Sequence, residues 1–210
     1  MSRNATDLAT CMRIVLATGN AGKLRELQGL LLPRGMEVVA LSAFTAEQAE
    51  ETGLSFVENA ILKARHAARV SGLPAIADDS GIEVDALRGA PGIYSARYAG
   101  IGASDRDNLN KLIDELRDVP QSGRSARYRC ALAYMRWDLD PAPIVCQASW
   151  EGRLIDTPRG SGGFGYDPIF ELVDPAGRSR TAAELSPLEK NLISHRALAL
   201  RELLEKLPSS

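Results

Sequence analysis

The sequence predicts an α/β fold in which helices flank a mixed β-sheet. Short apolar runs such as 13–17 alternate along the chain with segments of helical periodicity such as 56–70, and this alternation is typical of strands connected through helices. Two further strand-like runs, 128–137 and 144–150, are separated by a turn that contains Asp and Pro, which predicts an antiparallel hairpin. Because a hairpin interrupts a purely parallel order, we expect the sheet to be mixed.

Composition narrows the class of protein before any motif is considered. The chain has 210 residues, 45% of them hydrophobic and 25% charged, with a formal net charge of −2. These proportions are typical of a soluble globular protein, and the balanced charge provides no basic surface for nucleic acid or an anionic membrane. No apolar stretch approaches the ~18 residues of a membrane span. Three cysteines without zinc-site spacing suit a reducing compartment. We therefore expect a cytoplasmic protein that binds neither nucleic acid nor a membrane.

The N-terminal segment 1–11 is predicted to lie outside the fold. It is polar and lacks the apolar core of a secretory signal, and a strong strand begins directly after Met12. We expect residues 1–11 to form a disordered extension and residues 12–210 to form a single domain.

Two strands are predicted to flank a helix in the first part of the fold. The run 13–17 is short and apolar, as buried strands are. A polar turn at 18–22 precedes leucines at helical spacing, and Pro33 with Gly35 ends the predicted helix. Residues 36–41 predict the second strand.

The segment 56–70 predicts the clearest amphipathic helix. Asn59, Lys63 and His66 share one of its faces. Another face carries an apolar stripe, which consists of Phe56, Val57, Ala60, Ile61, Ala64 and Ala68. This helix is therefore expected to bury one side and present polar groups on the other.

The chain is then predicted to pass through a strand, a turn and a second strand. Residues 75–77 form an apolar stub that leads into the polar residues 78–81. From 82 to 86, apolar and acidic residues alternate as in a half-exposed strand. Another helix is predicted at 105–116.

The C-terminal part combines a loop with helical sequence. Residues 160–167 form a glycine-rich loop, and 187–207 reads as helical. Ser186 is a suitable N-cap for that helix, with proline at the first helical position. Ser194 could cap a second segment, so the sequence leaves open whether one helix or two are present.

The first segment that could carry chemistry is the strand–turn–helix junction. A helix N-terminus presents unpaired N–H groups and a positive dipole end, and small residues let a phosphate approach the backbone. The segment consists of Thr18, Gly19, Asn20, Ala21, Gly22 and Lys23. It is not a P-loop, because Ala17 stands where the first glycine belongs and Leu24 replaces Ser or Thr. A plain turn capped by Asn20 would explain the same residues, and the local pattern leaves both interpretations open.

The second segment, Asp78-Asp79-Ser80-Gly81, is predicted to be a tight turn at the end of a strand. Adjacent carboxylates repel each other unless a cation lies nearby, and hard oxygen ligands of this kind suit Mg²⁺. The alternative is an Asx turn with solvated aspartates. Because apolar strands on both sides place the segment at a sheet end, where ligands tend to bind, the sequence favours a functional role.

Two further segments admit a functional and a structural interpretation. In the glycine-rich loop 160–167, Phe164 offers a flat surface on which a base could stack, although a flexible loop would explain the glycines equally well. Lys190, His195 and Arg196 are three potential cations that fit an anion or a purine carbonyl. Solvated helix charges would produce the same pattern.

Five segments in one order resemble the inosine triphosphate pyrophosphatase family, whose members are also called Ham1-like XTP/dITP diphosphatases. They are VLATGNAGKLREL (15–27), ETGLSFVENAILKARHAA (51–68), PAIADDSGIEVDALRGAPGIYSARYAG (74–100), GGFGYDPIF (162–170) and EK…SHRA (189–197). The resemblance covers residues 13–205, and DDSG together with SARY and GGFGYDP is highly specific. It implies a homodimer of elongated, two-lobed α/β subunits with a strongly twisted sheet and a central cleft.

The resemblance also implies roles for residues at the phosphate end of the site. The turn that contains Thr18, Asn20 and Lys23 would hold the triphosphate. Asp79 would be the general base and a ligand of Mg²⁺, and Ser80 would touch the substrate. A glutamate upstream of the ENA helix would help to hold the metal; Glu50 matches best, although Glu51 is adjacent. Lys63, on the polar face of that helix, would face phosphate.

At the other end of the site, the resemblance implies contacts with the base. These contacts would come from Phe164, Gly165, Tyr166, Asp167, Lys190, His195 and Arg196. A donor from the backbone, His195 or Arg196 is expected to select the 6-oxo group of the purine and to reject the adenine amine.

The implied reaction is hydrolysis of aberrant purine nucleoside triphosphates (ITP, dITP, XTP and dXTP) to monophosphate and pyrophosphate, which would cleanse the nucleotide pool. Water would attack the α-phosphorus with Asp79 as base, while Mg²⁺ orients the leaving group. Lys23, Lys63 and Lys190 are expected to offset charge on the pyrophosphate.

Two other functions stay open at this stage. One is a related pyrophosphatase that acts on modified pyrimidine or methylated nucleotides. The other is a nucleotide sensor without catalysis, against which the intact Asp78/Asp79 pair and Lys23 argue. A nucleic-acid-binding module is disfavoured by the balanced charge.

Overall fold

A mixed sheet forms the centre of the protein in the computed structural model, which describes residues 12–173 and 177–207. The predicted extension at 1–11 lies outside the described residues. The strands are β1 (Arg13–Ala17), β2 (Glu37–Ala40), β3 (Ala75–Val84), β4 (Ser125–Met135), β5 (Ile144–Leu154), β6 (Phe170–Val173) and β7 (Ser179–Thr181). Their spatial order is β2-β1-β3-β4-β5-β6-β7. β1 pairs in parallel with β2 and β3, whereas β3 to β7 pair in antiparallel fashion. The predicted α/β class and mixed sheet are confirmed.

The predicted helices are present, and the C-terminal segment forms two of them. They are α1 (Ala21–Leu31), α2 (Phe56–Ser71), α3 (Asp105–Glu115), α4 (Pro187–Ile193) and α5 (His195–Lys206). Ser194 separates the last two, because its N–H donates to Lys190 O and its side chain accepts from Ala197 N. None of the helices in the described ranges has both the length and the apolar character that crossing a membrane requires.

We call the part of the fold around β1, β2, α1, α2 and α5 the first lobe, and helices cover both faces of its sheet. On one face, leucines of α1 and α5 pack on β1, β3 and β4 around Leu16, Ile76 and Leu132. On the other face, the alanine side of α2 packs on small sheet residues such as Ala77 and Ala133. Small side chains on both partners let the helix lie close to the sheet, so polar groups at its margin come near β3.

The second lobe is built around the far halves of β3 and β4. Its core contains Ile82 and Val84 of β3, Tyr128 of β4 and leucines of α3, together with residues of β5 and β6. Because β3 and β4 run through both lobes as one ladder, the centre of β3 lies at the junction between them.

The predicted turn at 78–81 is wrong, because these residues belong to the continuous strand β3. Asp79 pairs with Ala131 of β4, and Gly81 pairs with Arg129. Asp, Ser and Gly are common in turns, but a full ladder with β4 overrides that local preference. The strand ends at Val84, before the position predicted. The two aspartates therefore point to opposite faces of a sheet rather than into one turn.

Gly81 allows a 3-10 helix, Gly92–Arg97, to lie directly on β3. A Cβ at position 81 would lie 2.3 Å from Gly92 O and 2.4 Å from Ser95 Oγ. The Ser95 hydroxyl accepts a hydrogen bond from Ile82 N at 2.9 Å and donates one to Gly92 O at 2.6 Å. These contacts fix the position of the 3-10 helix on β3, and therefore the backbone position of Arg97 at its end.

Gly81→Ala is expected to destabilise the protein by about 1–3 kcal/mol, because the new methyl group overpacks this contact. The measurement is urea-induced unfolding monitored by circular dichroism. Gly29→Ala is the matched control: its Cβ would meet only Asn191 Nδ2 at 3.7 Å, and alanine in a helix should stabilise by up to about 1 kcal/mol. Equal unfolding free energies for the two variants would contradict the close packing at Gly81.

Candidate active site

The junction of the lobes contains two adjoining cavities. We call the first the outer cleft; it lies among Thr18, Gly19, Gln48, Glu51, Lys63 and Arg97. We call the second the inner pocket; it lies among Ser80, Tyr128, Phe164, Gly165, His195 and Arg196. Both are lined by Asn20, Lys23 and Ala96. A ligand with two chemically different ends could therefore occupy both at once.

The turn before α1 is capped by its own asparagine and also lines the outer cleft. Asn20 Oδ1 accepts hydrogen bonds from Gly22 N at 2.8 Å and Lys23 N at 3.0 Å. Thr18 Oγ1 accepts from Asn20 N at 3.1 Å. The capped-turn interpretation thus describes the local structure correctly. It is compatible with a binding role, because Thr18, Asn20 and Lys23 all line the cleft.

Phe164 closes the inner pocket against this same turn. A Cβ at position 22 would lie 2.5 Å from Phe164 Cδ1. Only glycine at this position lets the aromatic ring rest on the α1 backbone, so Gly22 positions the ring rather than a phosphate.

Asp79 points toward α2, on the side of the outer cleft. Lys63 Nζ lies 2.5 Å from its Oδ1, and Asn59 Nδ2 donates to its Oδ2 at 3.4 Å. Burial raises the pKa of the Asp79 carboxyl, and the attraction of Lys63 and Lys23 offsets only part of that effect, so the net pKa is above its ordinary value. A raised pKa makes the carboxylate a better proton acceptor.

Glu51 shares Lys63 with Asp79. Lys63 Nζ lies 3.0 Å from Glu51 Oε1, and Arg97 Nη1 lies 2.9 Å from Glu51 Oε2. Burial raises the pKa of Glu51, but Lys63 and Arg97 outweigh it, and the net pKa is lowered. Glu50 is exposed and lines neither cavity. The geometry therefore favours Glu51 over Glu50 as the acidic neighbour of Asp79.

The donor set around Lys63 fits a hard divalent cation. The carboxylates of Asp79 and Glu51 both approach one ammonium group, and carboxylate oxygens are the ligands that Mg²⁺ prefers. In the part of the chain that the structure describes, no group of three or more His, Cys, Asp or Glu side chains could hold a metal ion. Mg²⁺ commonly completes its shell with water and substrate phosphate, so two protein carboxylates are sufficient.

Asp78 points to the opposite face and is buried among cations. Lys23 Nζ lies 2.5 Å from its Oδ1, and Arg196 Nε lies 2.9 Å from its Oδ2. Ser80 Oγ donates to Asp78 Oδ1 at 3.0 Å. Burial raises the pKa of Asp78, but Arg196 and Lys23 outweigh it and hold the pKa well below its ordinary range. Asp78 therefore fixes cations in place and does not face the metal position.

A second ion cluster joins the first through Glu26. The Glu26 carboxylate pairs with Arg196, and its Oε1 lies 2.9 Å from Lys190 Nζ. Lys190 Nζ also lies 2.6 Å from Asp167 Oδ2. The joined network contains equal numbers of acidic and basic side chains. Its members are Lys23, Glu26, Asp78, Asp167, Lys190 and Arg196.

The interpretation of Lys190 and Arg196 as solvated helix charges is wrong, since both are buried. Lys190 also lies at the inner pocket, 4.8 Å from the centroid of the Phe164 ring, and two carboxylates neutralise it. The expectation that Lys190 offsets charge on a leaving pyrophosphate therefore does not fit its position. Lys23 and Lys63 line the outer cleft as expected.

His195 is an uncharged ring at the wall of the inner pocket. It stacks on Tyr128 with centroids 4.8 Å apart and an interplanar angle of 5°. Burial lowers the pKa of His195 well below its ordinary value, and Arg196 lowers it further. His195 Nδ1 is buried and has no hydrogen-bond partner among the described residues. The ring thus retains hydrogen-bonding capacity that the protein does not use.

The glycine-rich loop is anchored at several points. Phe164 N donates to Asp167 Oδ2 at 2.8 Å, and Gly165 N donates to Asp105 Oδ2 at 2.9 Å. Tyr166 OH donates to Ser95 O at 2.7 Å. These hydrogen bonds favour an ordered loop over the flexible-loop alternative. Within the segment, Tyr166 and Asp167 are buried supports, and Phe164 is the aromatic surface.

Three residues of the site were not singled out in the sequence. Asn59 orients Asp79, Glu26 joins the two ion clusters, and Arg97 contacts Glu51. The helical pattern predicts Asn59 on the polar face of α2, and this prediction is wrong about its exposure, because Asn59 is fully buried. A polar side chain one turn before Lys63 is the signal that could have indicated it. Arg97 lies within the SARY motif, but nothing local indicates its partner 46 residues earlier.

Asp78→Asn is expected to lower the free energy of unfolding by about 3–5 kcal/mol, because it leaves buried cations without their counter-charge. Urea denaturation provides the measurement. The control is Asp114→Asn, which removes an exposed carboxylate 2.6 Å from Arg117 and should change stability by less than about 0.5 kcal/mol. A loss at Asp78 no larger than that of the control would show that the network does not hold the site together.

Comparisons with known proteins agree with this architecture. The model of the Ham1 family matches residues 14–206. The dITP/XTP pyrophosphatase of Shigella flexneri is 58% identical over 195 residues, which cover 93% of this chain and 98% of the relative. The dITP/XTP pyrophosphatase of Pectobacterium atrosepticum is 60% identical with the same coverage. The solved structure of a HAM1 protein from Coxiella burnetii matches with a TM-score of 0.81 and 49% identity, over 91% of this chain and 96% of that one. The resemblance found in the motifs is confirmed, and the chain belongs to the Ham1 family.

Proposed function

We propose that this chain hydrolyses aberrant purine nucleoside triphosphates (ITP, dITP, XTP and dXTP) to the monophosphate and pyrophosphate. Relatives that are 57%, 58% and 60% identical to it over 195 residues are named dITP/XTP pyrophosphatases. The observation that carries the proposal is the environment of Asp79: a buried carboxylate with a raised pKa is paired with Lys63 of the cationic outer cleft and is adjacent in the chain to Ser80 of the aromatic inner pocket. Such a site suits attack by water on a nucleotide.

The two cavities favour one orientation of the substrate. The inner pocket offers the Phe164 ring and the His195–Tyr128 stack, which suit a purine. The outer cleft offers Lys23, Lys63 and backbone amides near the start of α1, which suit phosphates. A nucleotide lying across both cavities would bring its α-phosphate to the boundary, near Asp79.

In this orientation Asp79 would accept a proton from the attacking water. Lys63 and Asn59 hold the carboxylate from both of its oxygens, so its orientation is set before the substrate arrives. General-base catalysis of this kind is typically worth about 10²–10⁴-fold in rate. Lys23 and Lys63 would stabilise negative charge as the bond to the leaving pyrophosphate breaks.

We propose Mg²⁺ as the cofactor, held by Asp79 and Glu51. When bound, the ion would neutralise phosphate charge and orient the leaving group. Lys63 bridges the same two carboxylates, and it would then be available to contact phosphate.

Selection of the base would depend on His195 in its neutral form. A neutral imidazole offers one N–H donor and one acceptor, and the unpartnered Nδ1 shows that the protein leaves part of this capacity unused. A donor that faces O6 of a 6-oxo purine would face the amine of adenine and find no partner, which costs more than a mismatch in size. The guanidinium of Arg196 is engaged by Asp78, Glu26 and Ser80, so His195 is the better candidate for this contact.

The homodimer and the cytoplasmic location implied by the family resemblance remain proposals. Leu54 and Tyr94 expose 85% and 54% of their surface and line one shallow depression with Ile93. Exposed apolar surface of this kind supports a subunit contact. Cys130 and Cys146 are free thiols, which is compatible with a reducing compartment.

With Mg²⁺, the purified protein is expected to release pyrophosphate from dITP and XTP faster than from dATP or dGTP. A panel of nucleoside triphosphates in a pyrophosphate-release assay makes the measurement, and it includes modified pyrimidine nucleotides to test the related activity. Asp79→Asn should reduce turnover by at least about 10²-fold and leave nucleotide binding largely intact. No preference for dITP or XTP would contradict the function, and an active Asp79→Asn variant would contradict the role of Asp79.

Glu51→Gln is expected to weaken binding of the divalent cation by about 10–100-fold, since one of two carboxylate ligands is lost. Glu50→Gln is the matched control and should change the affinity by less than about twofold, because Glu50 is exposed and lines neither cavity. Titration with Mn²⁺, followed by electron paramagnetic resonance, measures binding without substrate. The reverse order of effects would restore Glu50 as the second ligand.

A further inference from the structure

We infer that Arg97 binds the pyrophosphate portion of the nucleotide and holds it as the leaving group departs. This inference rests on the proposed function and extends it to a residue outside the turn before α1, the Asp79 region and the base pocket. Three observations carry it: the place of Arg97 along the cleft, its exposure relative to the other cations, and the weakness of its ion pair.

Arg97 lies at the end of the site that the pyrophosphate would occupy. The inner pocket suits the base and Asp79 marks the α-phosphate, so the β- and γ-phosphates must extend away from Phe164. That direction leads into the outer cleft, where Arg97 stands with Gln48 and Glu51. The 3-10 helix that carries Arg97 is fixed to β3 through Ser95, so the guanidinium starts from a rigid base.

Arg97 is the most accessible of the three cations in this cleft. Its side chain is 34% exposed, compared with 15% for Lys23 and 14% for Lys63. Lys23 is held by the fully buried Asp78, and Lys63 lies between Asp79 and Glu51. Among the described residues, the one carboxylate that Arg97 contacts is that of Glu51. The guanidinium also lies over the exposed Tyr94 ring, 5.3 Å from its centroid. A contact through the face of the guanidinium leaves its in-plane N–H donors able to turn to an incoming anion.

Structural stabilisation is a poor explanation for this arginine. The pair with Glu51 joins two side chains that are 34% and 29% exposed, and ion pairs at such positions add little to stability. A guanidinium binds phosphate well because it stays charged and presents parallel N–H donors to two oxygens. If Glu51 turns to a divalent cation, Arg97 loses its counter-charge at the moment when the phosphates arrive.

The test compares full-length wild type with Arg97→Ala and Arg97→Lys by calorimetric titration. One titration uses inorganic pyrophosphate with Mg²⁺, and the other uses dIMP, which lacks the leaving group. Arg97→Ala should weaken pyrophosphate binding by about tenfold or more, as loss of a charged donor pair does, and dIMP binding by less than about twofold. The pyrophosphate affinity of Arg97→Lys should lie between those of wild type and Arg97→Ala, because lysine keeps the positive charge but lacks the paired N–H donors of the guanidinium.

Arg117→Ala is the control, because it also removes an arginine from an exposed ion pair, 2.6 Å from Asp114 on α3. It should leave both affinities unchanged. Unaltered pyrophosphate binding in Arg97→Ala, or equal losses for pyrophosphate and dIMP, would overturn the inference.

If Arg97 served only to position Glu51, its removal would weaken pyrophosphate binding indirectly, through weaker binding of the metal. We therefore expect Mn²⁺ affinity in Arg97→Ala to stay at or above that of wild type, in contrast to Glu51→Gln. Weakened Mn²⁺ binding that accounts for the whole loss of pyrophosphate affinity would overturn direct contact.

Failure of the proposed function has a different signature. In that case wild type releases no pyrophosphate from dITP, whatever the titrations show. If wild type hydrolyses dITP while Arg97→Ala binds pyrophosphate normally, only the assignment of Arg97 fails.

Discussion

The buried pairing of Asp78 with Arg196 and Lys23 is the interaction on which the site depends. Removing these charges from water costs several kcal/mol per ion, and the loss is offset only where each charge has well-placed partners. Asp78 has two cationic partners, and Glu26 extends the network to Lys190 and the anchor of the glycine-rich loop. One neutral network thus ties three helices, the central strand and a loop into a single geometry. The aromatic wall and the start of α1 cannot move independently of it.

Strand alternation explains why two adjacent aspartates act differently. Successive side chains of β3 point to opposite faces of the sheet, so Asp78 meets α1 and α5 while Asp79 meets α2. The same alternation separates their electrostatic environments. Asp78, with two cations, is held ionised, whereas Asp79 has a raised pKa although Lys63 lies beside it. A structural anchor and a reactive group can therefore occupy neighbouring positions without competing for the same cation.

The sequence predicts the helices and strands and most of the site residues better than it predicts the long-range contacts between them. Periodicity located α2 and the hairpin of β4 and β5, because both signals are local. The residue types of segment 78–81 favour a turn, and only pairing with β4 reveals a strand. Local pattern does not predict the roles of Asn59 and Arg97, because both depend on partners far along the chain. Motif resemblance placed Lys190 among the contacts with the base. Its pairing with Glu26 and Asp167 argues against the further expectation that it offsets phosphate charge.

The single residue between α4 and α5 has a mechanical consequence. Ser194 is the C-cap of α4 through its backbone N–H and the N-cap of α5 through its hydroxyl. The two helices are therefore joined without a flexible linker. The φ and ψ angles of Ser194 therefore set the orientation of α4, which carries Lys190, relative to α5, which carries Arg196. A residue inserted at this position would rotate α4 relative to α5 and break the ion network that joins Lys190 and Arg196 through Glu26.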